Sequence, residues 1–327
     1  MRLVGAGREG YTPLPSARVS PMQLPDPMIL AALASVLAAG PLAGQQGPFG
    51  RWDLTFHASD RPRAMWLELV AGEPVTGRLQ PPGGHALEIM NVRVDGNRVS
   101  FPLPREYNQP NGRVELTVSG DGLEGVVHVD AGPTRLTGTR APALDRPRPS
   151  SWGPEIDLLA GGIEAWTTED PARNGWRVAD GELVNAPPSS NLISKATFTD
   201  FQLHVEVNVP PRGNSGIYLR GRYEIQVQDD HGQEPHNRRM GGIYGQVTPT
   251  INPAKPAAGW QTFDITFYGR RVTVALNGVT IIDDREIPGI TGGALDSDEA
   301  APGPIMLQGD HGAIRYRNLR IREGLMR

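Results

Sequence analysis

Short runs of alternating apolar and polar residues, separated by turn residues, constrain the fold of this chain more than any other feature. Residues 201–207 alternate Phe, Leu and Val with Gln, His and Glu, and residues 214–230 carry two further runs of this kind. A period of two residues is typical of a β-strand with one face in a core. With 40 glycines, 31 prolines and no helical period of useful length, the sequence predicts an all-β chain.

Composition excludes several functional classes. The 327 residues predict two domains with tails, and a net charge of -4 with interspersed acids and bases gives no basic stripe for nucleic acid. Without cysteine the chain has no disulfide, thiolate metal site or lipobox anchor, which fits a bacterial exported protein. No dinucleotide fingerprint or phosphate loop is present, so no nucleotide cofactor is expected.

The only long apolar run, residues 28–44, lies in a tail that we set apart as residues 1–46. The run is too short and too rich in Ala and Gly for a membrane span, but it suits the apolar region of a secretory signal that starts at Met22 or Met28. We therefore expect a periplasmic or secreted protein. The alternative is a disordered Ala-rich tail.

The rest of the chain divides into two β-rich parts. Residues 48–142 predict a small antiparallel, lipocalin-like β-barrel domain, with a spacer or accessory ligand-binding role, and residues 143–154 form a Pro-rich linker. Residues 155–323 predict a two-sheet jelly-roll sandwich of ten or more short strands. The histidines of the first part, His57, His85 and His128, lack ligand spacing and do not indicate a metal site.

Alternation also predicts one polar sheet face in the second part. The three strand-like runs between residues 201 and 228 are expected to offer their polar side chains to one side of a sheet and to form a cleft for a ligand rich in hydrogen-bonding groups. These side chains are His204, Glu206, Tyr218, Arg220, Glu224 and Gln226.

The second part resembles the 3-keto-disaccharide hydrolase family, a concanavalin-A-like jelly roll, over residues 155–323. The motifs that carry the resemblance are IDLLAGGIEAW, GWRVADGEL, FQLHVEV, NSGIYLRG, YEIQVQDD, GGIYG, NPAKPAAGWQTFDI, VALNGVTI and PIMLQGDHGAIRYRNLRI. The opening motif lacks the usual Phe and Asp, and the loop of residues 230–240 matches no family position that we can assign. Because such loops shape substrate choice, the substrate stays open.

The resemblance implies cleavage of a glycosidic bond in a sugar already oxidised to a ketone at C3, by base-assisted elimination and then hydration. Such a reaction needs a base, a group that stabilises the enolate and an acid for the leaving oxygen. Glu206 and Glu224 are the candidate carboxylates, Arg220 the candidate anion stabiliser and His311 a candidate acid or base. The oxidation itself would need a separate upstream sugar 3-dehydrogenase.

Further side chains are candidates for substrate binding. Amides would orient hydroxyl groups, and aromatic rings would stack on or bind a pyranose. The candidates are Asn214, Tyr218, Gln226, Tyr244, Trp260 and Gln308. The structural alternatives are an ion pair of Arg220 with Glu224, a strand-entry turn at Asn214 and a core position for Trp260.

Two acidic or histidine-rich loops leave open whether the protein binds a divalent cation. His231 and His236 lie beside Asp229, Asp230 and Glu234, although a solvated loop is the favoured interpretation, and the run of residues 296–299 is interpreted as a solvated loop with calcium as the alternative.

The main alternative function is a non-catalytic, lectin-like carbohydrate-binding module, because fold alone does not separate the two classes. An ordinary retaining glycosidase is disfavoured because Gln226 stands where a second strand carboxylate is wanted.

Overall fold

A computed structural model describes residues 47–58 and 60–325. Within these ranges every regular element longer than four residues is a β-strand, which confirms the predicted all-β class. The three short 3-10 helices are Arg105–Tyr107, Gly162–Ala165 and Pro171–Arg173. No helix in these ranges is long and apolar enough to cross a membrane. The predicted signal segment lies outside the described residues.

The N-terminal sheet contains nine antiparallel strands. They are β1 (Gly50–His57), β2 (Pro62–Val70), β3 (Thr76–Gln80), β4 (Leu87–Ile89), β5 (Arg93–Asp95), β6 (Arg98–Pro102), β7 (Arg113–Ser119), β8 (Gly122–Val129) and β9 (Gly132–Arg140). Their order is β4-β3-β2-β1-β9-β8-β7-β6-β5, so an up-and-down meander returns to pair β9 with β1. In β7 the residues Val114, Leu116 and Val118 are buried and their neighbours are exposed. The sheet therefore curls around a core of its own, as expected for a barrel-like fold.

The C-terminal sandwich contains the other fourteen strands. They are β10 (Ser151–Trp152), β11 (Ile156–Asp157), β12 (Trp166–Thr168), β13 (Trp176–Ala179), β14 (Glu182–Asn185), β15 (Leu192–Phe198), β16 (Phe201–Asn208), β17 (Asn214–Leu219), β18 (Tyr223–Gln228), β19 (Trp260–Tyr268), β20 (Arg271–Leu276), β21 (Val279–Glu286), β22 (Gly303–Leu307) and β23 (Ile314–Leu325). One sheet has the order β13-β14-β23-β16-β19-β20-β21, with β10 and β11 also paired to β23, and the other has the order β12-β15-β22-β17-β18. The predicted jelly-roll sandwich is confirmed.

The apolar faces of these two sheets pack against each other. Phe201, Val205, Ile217 and Ile225 all belong to one core and are fully buried. Burying a side chain of this size contributes about 1.5–3 kcal/mol. The alternation seen in the sequence thus fills the space between the sheets.

The prediction that three runs share one polar face is wrong. β16 belongs to the larger sheet, whereas β17 and β18 pair in the five-stranded sheet. Their apolar faces meet in the core, so their polar faces point to opposite sides of the sandwich. Alternation fixes which side chains share a face within one strand, but it does not identify the sheet that the strand joins.

The N-terminal sheet packs against the sandwich, and the described residues belong to one compact unit. Trp66 of β2 is fully buried and belongs to the core cluster of the sandwich. A Cβ atom on Gly289 would lie 2.2 Å from the Trp66 indole nitrogen, so this contact requires a residue without a side chain. The domain boundaries drawn from the sequence stay a prediction.

Candidate active site

A small polar cavity of about 220 Å³ opens on the side of the five-stranded sheet that faces away from the core. It is smaller than the roughly 300–1,000 Å³ of drug-sized pockets, and suits a ligand such as one sugar ring. The lining residues are Gly83, Gly84, Asn191, Asn214, Tyr218, Glu224, Gln226, Tyr244, Gly292, Gly293, Gln308, Asp310 and His311. Seven of the ten predicted site residues are therefore brought together: Asn214, Tyr218, Glu224, Gln226, Tyr244, Gln308 and His311.

The hairpin of β17 and β18 forms the floor of the cavity. Tyr218 lies opposite Glu224, and Gly216 lies opposite Gln226, in the antiparallel register. Paired residues share a face, so Tyr218, Glu224 and Gln226 face the cavity while the intervening Ile225 faces the core. This part of the polar face was correctly predicted.

Glu224 is a buried carboxyl group that pairs with no Lys or Arg among the described residues. Its side chain receives a hydrogen bond of 3.0 Å from the Tyr218 hydroxyl. Burial disfavours the charged form and raises the pKa of Glu224 to about 8. The group therefore keeps its proton near neutral pH and, once ionised, is a stronger base than an ordinary carboxylate.

The Tyr218 hydroxyl lies between two acceptors. It is 3.0 Å from Glu224 Oε2 and 2.9 Å from the Gly292 carbonyl oxygen. Burial holds the pKa of Tyr218 well above its usual value, so the hydroxyl keeps its single proton. A protonated Glu224 can donate to Tyr218 while Tyr218 donates to Gly292, whereas an ionised Glu224 must accept from Tyr218. The direction of this bond therefore follows the charge of Glu224.

Two glycines make room for this pair. A Cβ atom on Gly216 would lie 2.4 Å from Glu224 Oε1, and one on Gly293 would lie 2.7 Å from the Tyr218 hydroxyl oxygen. Gly293 also has a φ of +80°, a conformation that other residues rarely adopt. Both positions thus need glycine for the carboxyl group and the phenol to sit where they do.

His311 forms the second titratable group of the cavity. Its Nδ1 is 2.5 Å from Asp310 Oδ1, and this hydrogen bond raises the pKa of His311 and lowers the pKa of Asp310. The charge of Glu224 also raises the pKa of His311. Because Nδ1 is engaged with Asp310, Nε2 is the ring nitrogen left for a ligand.

Amide groups line the remaining wall. The Gln226 side chain donates to Asn214 Oδ1 at 2.8 Å and to Gln228 Oε1 at 2.9 Å, which fixes the orientation of its amide. The Gln308 Oε1 atom is buried and has no hydrogen-bond partner within the described part of the chain. A buried acceptor without a partner is unfavourable, so a ligand hydroxyl group would satisfy it.

The segment of residues 240–247 covers the free edge of β18. Tyr244 N donates to the Glu224 carbonyl oxygen at 3.0 Å, and Gly241 N donates to the Gln226 carbonyl oxygen at 2.8 Å. Gln226 N in turn donates to the Gly242 carbonyl oxygen at 2.9 Å. These backbone bonds hold Tyr244 at the cavity.

Arg220, a predicted anion stabiliser, does not line the cavity. It occupies the hairpin turn after β17 with a φ of +51°, which breaks the alternation and directs its side chain to the core face. There Nη2 donates to the Gly269 carbonyl oxygen at 2.5 Å, and the guanidinium lies 4.8 Å from the centre of the Phe267 ring. The ion pair with Glu224, which was the structural alternative for Arg220, is likewise absent from the described contacts of Arg220.

Glu206 and Trp260 also lie away from the cavity, on the outer face of the larger sheet. Glu206 forms a salt bridge of 2.7 Å with Arg317 and accepts a 2.7 Å hydrogen bond from Asn318. Trp260 lies 4.0 Å under the Arg317 guanidinium. His204 of the same face pairs with Asp264. The prediction that Glu206 and Trp260 share the site with Glu224 is wrong, because β16 and β19 belong to the other sheet.

Neither loop considered for a cation gathers ligands. Across residues 47–58 and 60–325 no group of three or more His, Asp or Glu side chains is placed to hold a metal ion. Asp230 instead accepts a hydrogen bond from Met240 N, and the His231 ring bonds the Ala254 carbonyl oxygen. Glu299 is fully buried and pairs with Arg270 at 3.0 Å, so a solvated loop is the wrong interpretation at that residue.

Sequence reasoning missed several cavity residues. Asp310 adjoins the predicted His311, and its place before a candidate acid or base was a usable signal. Asn191 lies in a strand motif and carried no signal. Gly83 and Gly84 lie in the N-terminal sheet, where Pro-Pro-Gly-Gly reads as an ordinary hairpin turn.

Comparisons with known proteins find one matching family and several similar structures. A family model described as the 3-keto-alpha-glucoside-1,2-lyase-like domain matches residues 156–322. A proposed glycosyl hydrolase from Parabacteroides distasonis ATCC 8503 is 29% identical, with 54% of this chain and 93% of that chain covered and a TM-score of 0.47. A second such structure from that organism is 24% identical, with 52% and 100% covered and a TM-score of 0.42. A carbohydrate-binding module from Bacillus subtilis is 15% identical, with 48% and 94% covered and a TM-score of 0.33. No curated protein matches the chain.

Proposed function

The chain belongs to the 3-keto-alpha-glucoside-1,2-lyase-like domain family, and from that premise we propose that its cavity cleaves the glycosidic bond of a sugar oxidised at C3, by elimination followed by hydration. The family match confirms the resemblance that was drawn from the sequence. The observation that carries the proposal is Glu224, a buried carboxyl group that pairs with no Lys or Arg among the described residues, with a pKa raised to about 8, in a polar cavity beside His311. Such a group is suited to move a proton rather than to hold a structural charge.

The chemistry needs no change of oxidation state. A base takes the proton from C2, which the neighbouring C3 ketone acidifies, and the electron pair forms an enolate. The enolate then expels the oxygen on C1, which takes up a proton and leaves a double bond between C1 and C2. Water adds at C1 and a proton returns to C2, so the sum of the steps is hydrolysis.

We assign the base to Glu224. After Glu206 is placed on the outer face, Glu224 and Asp310 are the only carboxylates that line the cavity among the described residues. The pKa of Asp310 is lowered by its bond to His311, which makes Asp310 the weaker base of the two. A carboxylate with a raised pKa is the better match to a carbon acid. When Glu224 takes up the proton, the Tyr218 hydroxyl can turn from the carboxyl group to donate to the Gly292 carbonyl oxygen.

We assign to His311 the positive charge that stabilises the developing negative charge of the reaction. Asp310 raises the pKa of His311, so the imidazolium is favoured and can donate through Nε2 to an oxygen that gains negative charge. The amide groups of Asn214, Gln226 and Gln308, with the Tyr244 side chain, are left to orient the hydroxyl groups of the ring. Since the reaction itself does not oxidise the sugar, a separate sugar 3-dehydrogenase would have to supply the ketone.

The test is product formation from a panel of 3-keto-glucosides beside their unoxidised parents, with and without a chelator. Cleavage of the keto sugars alone is expected, and loss of activity with the chelator would show a required metal ion. Cleavage of neither, together with measurable sugar binding, would instead make the protein a carbohydrate-binding module.

A further inference from the structure

The turn between β3 and β4 of the N-terminal sheet, residues 81–86, stands at the rim of the cavity. Gly83 and Gly84 line the cavity together with Glu224. Both glycines are exposed, whereas Glu224 is only 3% exposed. The cavity therefore has a buried floor at Glu224 and an exposed rim at this turn. A group that extends outward from a sugar held at the floor meets the rim.

Hydrogen bonds hold this turn from both sides. The fully buried Gln80 donates from Nε2 to the carbonyl oxygens of Pro81 at 2.9 Å and Gly84 at 3.1 Å. From the sandwich, Gly293 N donates to the Pro82 carbonyl oxygen at 2.9 Å. Gly293 is the residue that also gives room to the Tyr218 hydroxyl. The turn is thus fixed relative to the reacting groups.

The contact of the turn with the sandwich requires residues without side chains. A Cβ atom on Gly292 would lie 2.0 Å from the Gly84 carbonyl oxygen, and one on Gly245 would lie 2.6 Å from His85 Cβ. The His85 ring packs edge-on against Tyr244, with 6.5 Å between the ring centres. Glycine at both sandwich positions is what this close approach demands.

We propose that the turn of residues 81–86 forms the subsite for the leaving group, so that the N-terminal sheet is part of the active site and not a spacer. This inference rests on the proposed function. With C2 of the sugar at Glu224 on the floor, the neighbouring C1 carries the leaving group toward the rim. Two glycines in sequence give that group space, because neither presents a side chain.

Substitution of Gly83 would fill this space. A Cβ atom there would meet no atom within 4 Å, and its φ is not in the left-handed region. The variant Gly83→Leu therefore places a side chain at the rim without strain. The matched control is Asp130→Leu, in the exposed hairpin turn between β8 and β9 of the same sheet, and thermal unfolding checks both folds.

The experiment compares two substrates, a methyl 3-keto-glucoside and a 3-keto-disaccharide. In Gly83→Leu we expect kcat/KM for the disaccharide to fall at least about tenfold through KM, and that for the methyl glycoside to change less than about threefold. Asp130→Leu should leave both unchanged. An equal loss for both substrates, or no loss for either, would overturn the subsite.

A binding measurement separates this inference from the proposed function. Calorimetry with glucose and maltose as probes needs no turnover, and Gly83→Leu should weaken the binding of maltose and spare that of glucose. If the wild-type protein cleaves no keto sugar but the variant changes maltose binding selectively, the reaction is wrong and the subsite stands. If the wild-type protein cleaves keto sugars and the variant has unchanged selectivity, the subsite alone is wrong.

Discussion

Glu206 and Glu224 occupy equivalent places in the sequence pattern and opposite environments in the structure. Each is a polar residue in an alternating strand of the sandwich. Glu206 lies on the outer face of the larger sheet, where Arg317 and Asn318 stabilise its charge and its pKa is lowered. Glu224 lies in the cavity of the smaller sheet, where burial raises its pKa to about 8. The difference shows that burial and hydrogen-bond partners, and not the place of a carboxylate in a strand pattern, set the direction of its pKa shift.

The largest expected contrast between the two carboxylates is in turnover. Glu224→Gln keeps the shape of the side chain but removes the base, so kcat should fall by about 10²–10⁴-fold. Glu206→Gln should retain wild-type turnover, because its carboxylate does not line the cavity. Steady-state assays on a 3-keto-glucoside make the comparison, and equal losses in the two variants would break it.

Displacing the Glu224 carboxyl group should lower kcat less than removing it does. In Gly216→Ala the new Cβ would lie 2.4 Å from Glu224 Oε1, so the carboxyl group must shift. A displacement of about 1 Å can lower kcat by roughly 10²-fold. The matched control is Gly153→Ala, where the nearest atom would be at an ordinary 3.5 Å. Full activity in the Gly216 variant would show that the position of this carboxyl group is not critical.

The pH dependence of kcat/KM sharpens the contrast further. A base must be ionised, so kcat/KM should rise with pH up to the pKa of Glu224, about 8. The hydrogen bond from Tyr218 favours the carboxylate and lowers this pKa, so Tyr218→Phe should move the rising limb to higher pH. A rising limb that does not move in Tyr218→Phe would contradict its assignment to Glu224.

The smallest expected contrast is in stability. Glu224 has a folded pKa above its usual 4.5. Its contribution to the free energy of unfolding is therefore fully present below pH 4.5 and is lost as the pH rises through about 8. Glu206 has a lowered pKa, so its contribution is present above its usual pKa and is lost as the pH falls. At pH 8, Glu224→Gln should therefore stabilise the protein, whereas Glu206→Gln should cost about 0–1 kcal/mol. Chemical denaturation at several pH values gives the difference in free energy of unfolding between wild type and each variant. If this difference changed with pH in the same direction for both variants, the opposite pKa shifts of the two carboxylates would be contradicted.

The sequence was sufficient for the fold class and for most of the cavity. Alternation gave the strands, and in the hairpin of β17 and β18 it also gave the correct face, because both strands are consecutive and paired. It failed at Glu206, since strand pattern carries no information on sheet membership. It failed at Arg220, where a single left-handed residue reverses the side chain. The rim at Gly83 and Gly84 depends on contact between distant parts of the chain, which no local pattern reports.

The most direct test of the central claim is the isotopic composition of the product formed in deuterated water. Elimination and hydration replace the C2 hydrogen with one from the solvent, so the 3-keto sugar released should carry one deuterium at C2, above the spontaneous exchange of substrate incubated alone. Glu224→Gln should release this product about 10²–10⁴-fold more slowly. A product without deuterium at C2 would mean that the bond is broken by direct hydrolysis, and would contradict the role of Glu224 as the base that removes this proton.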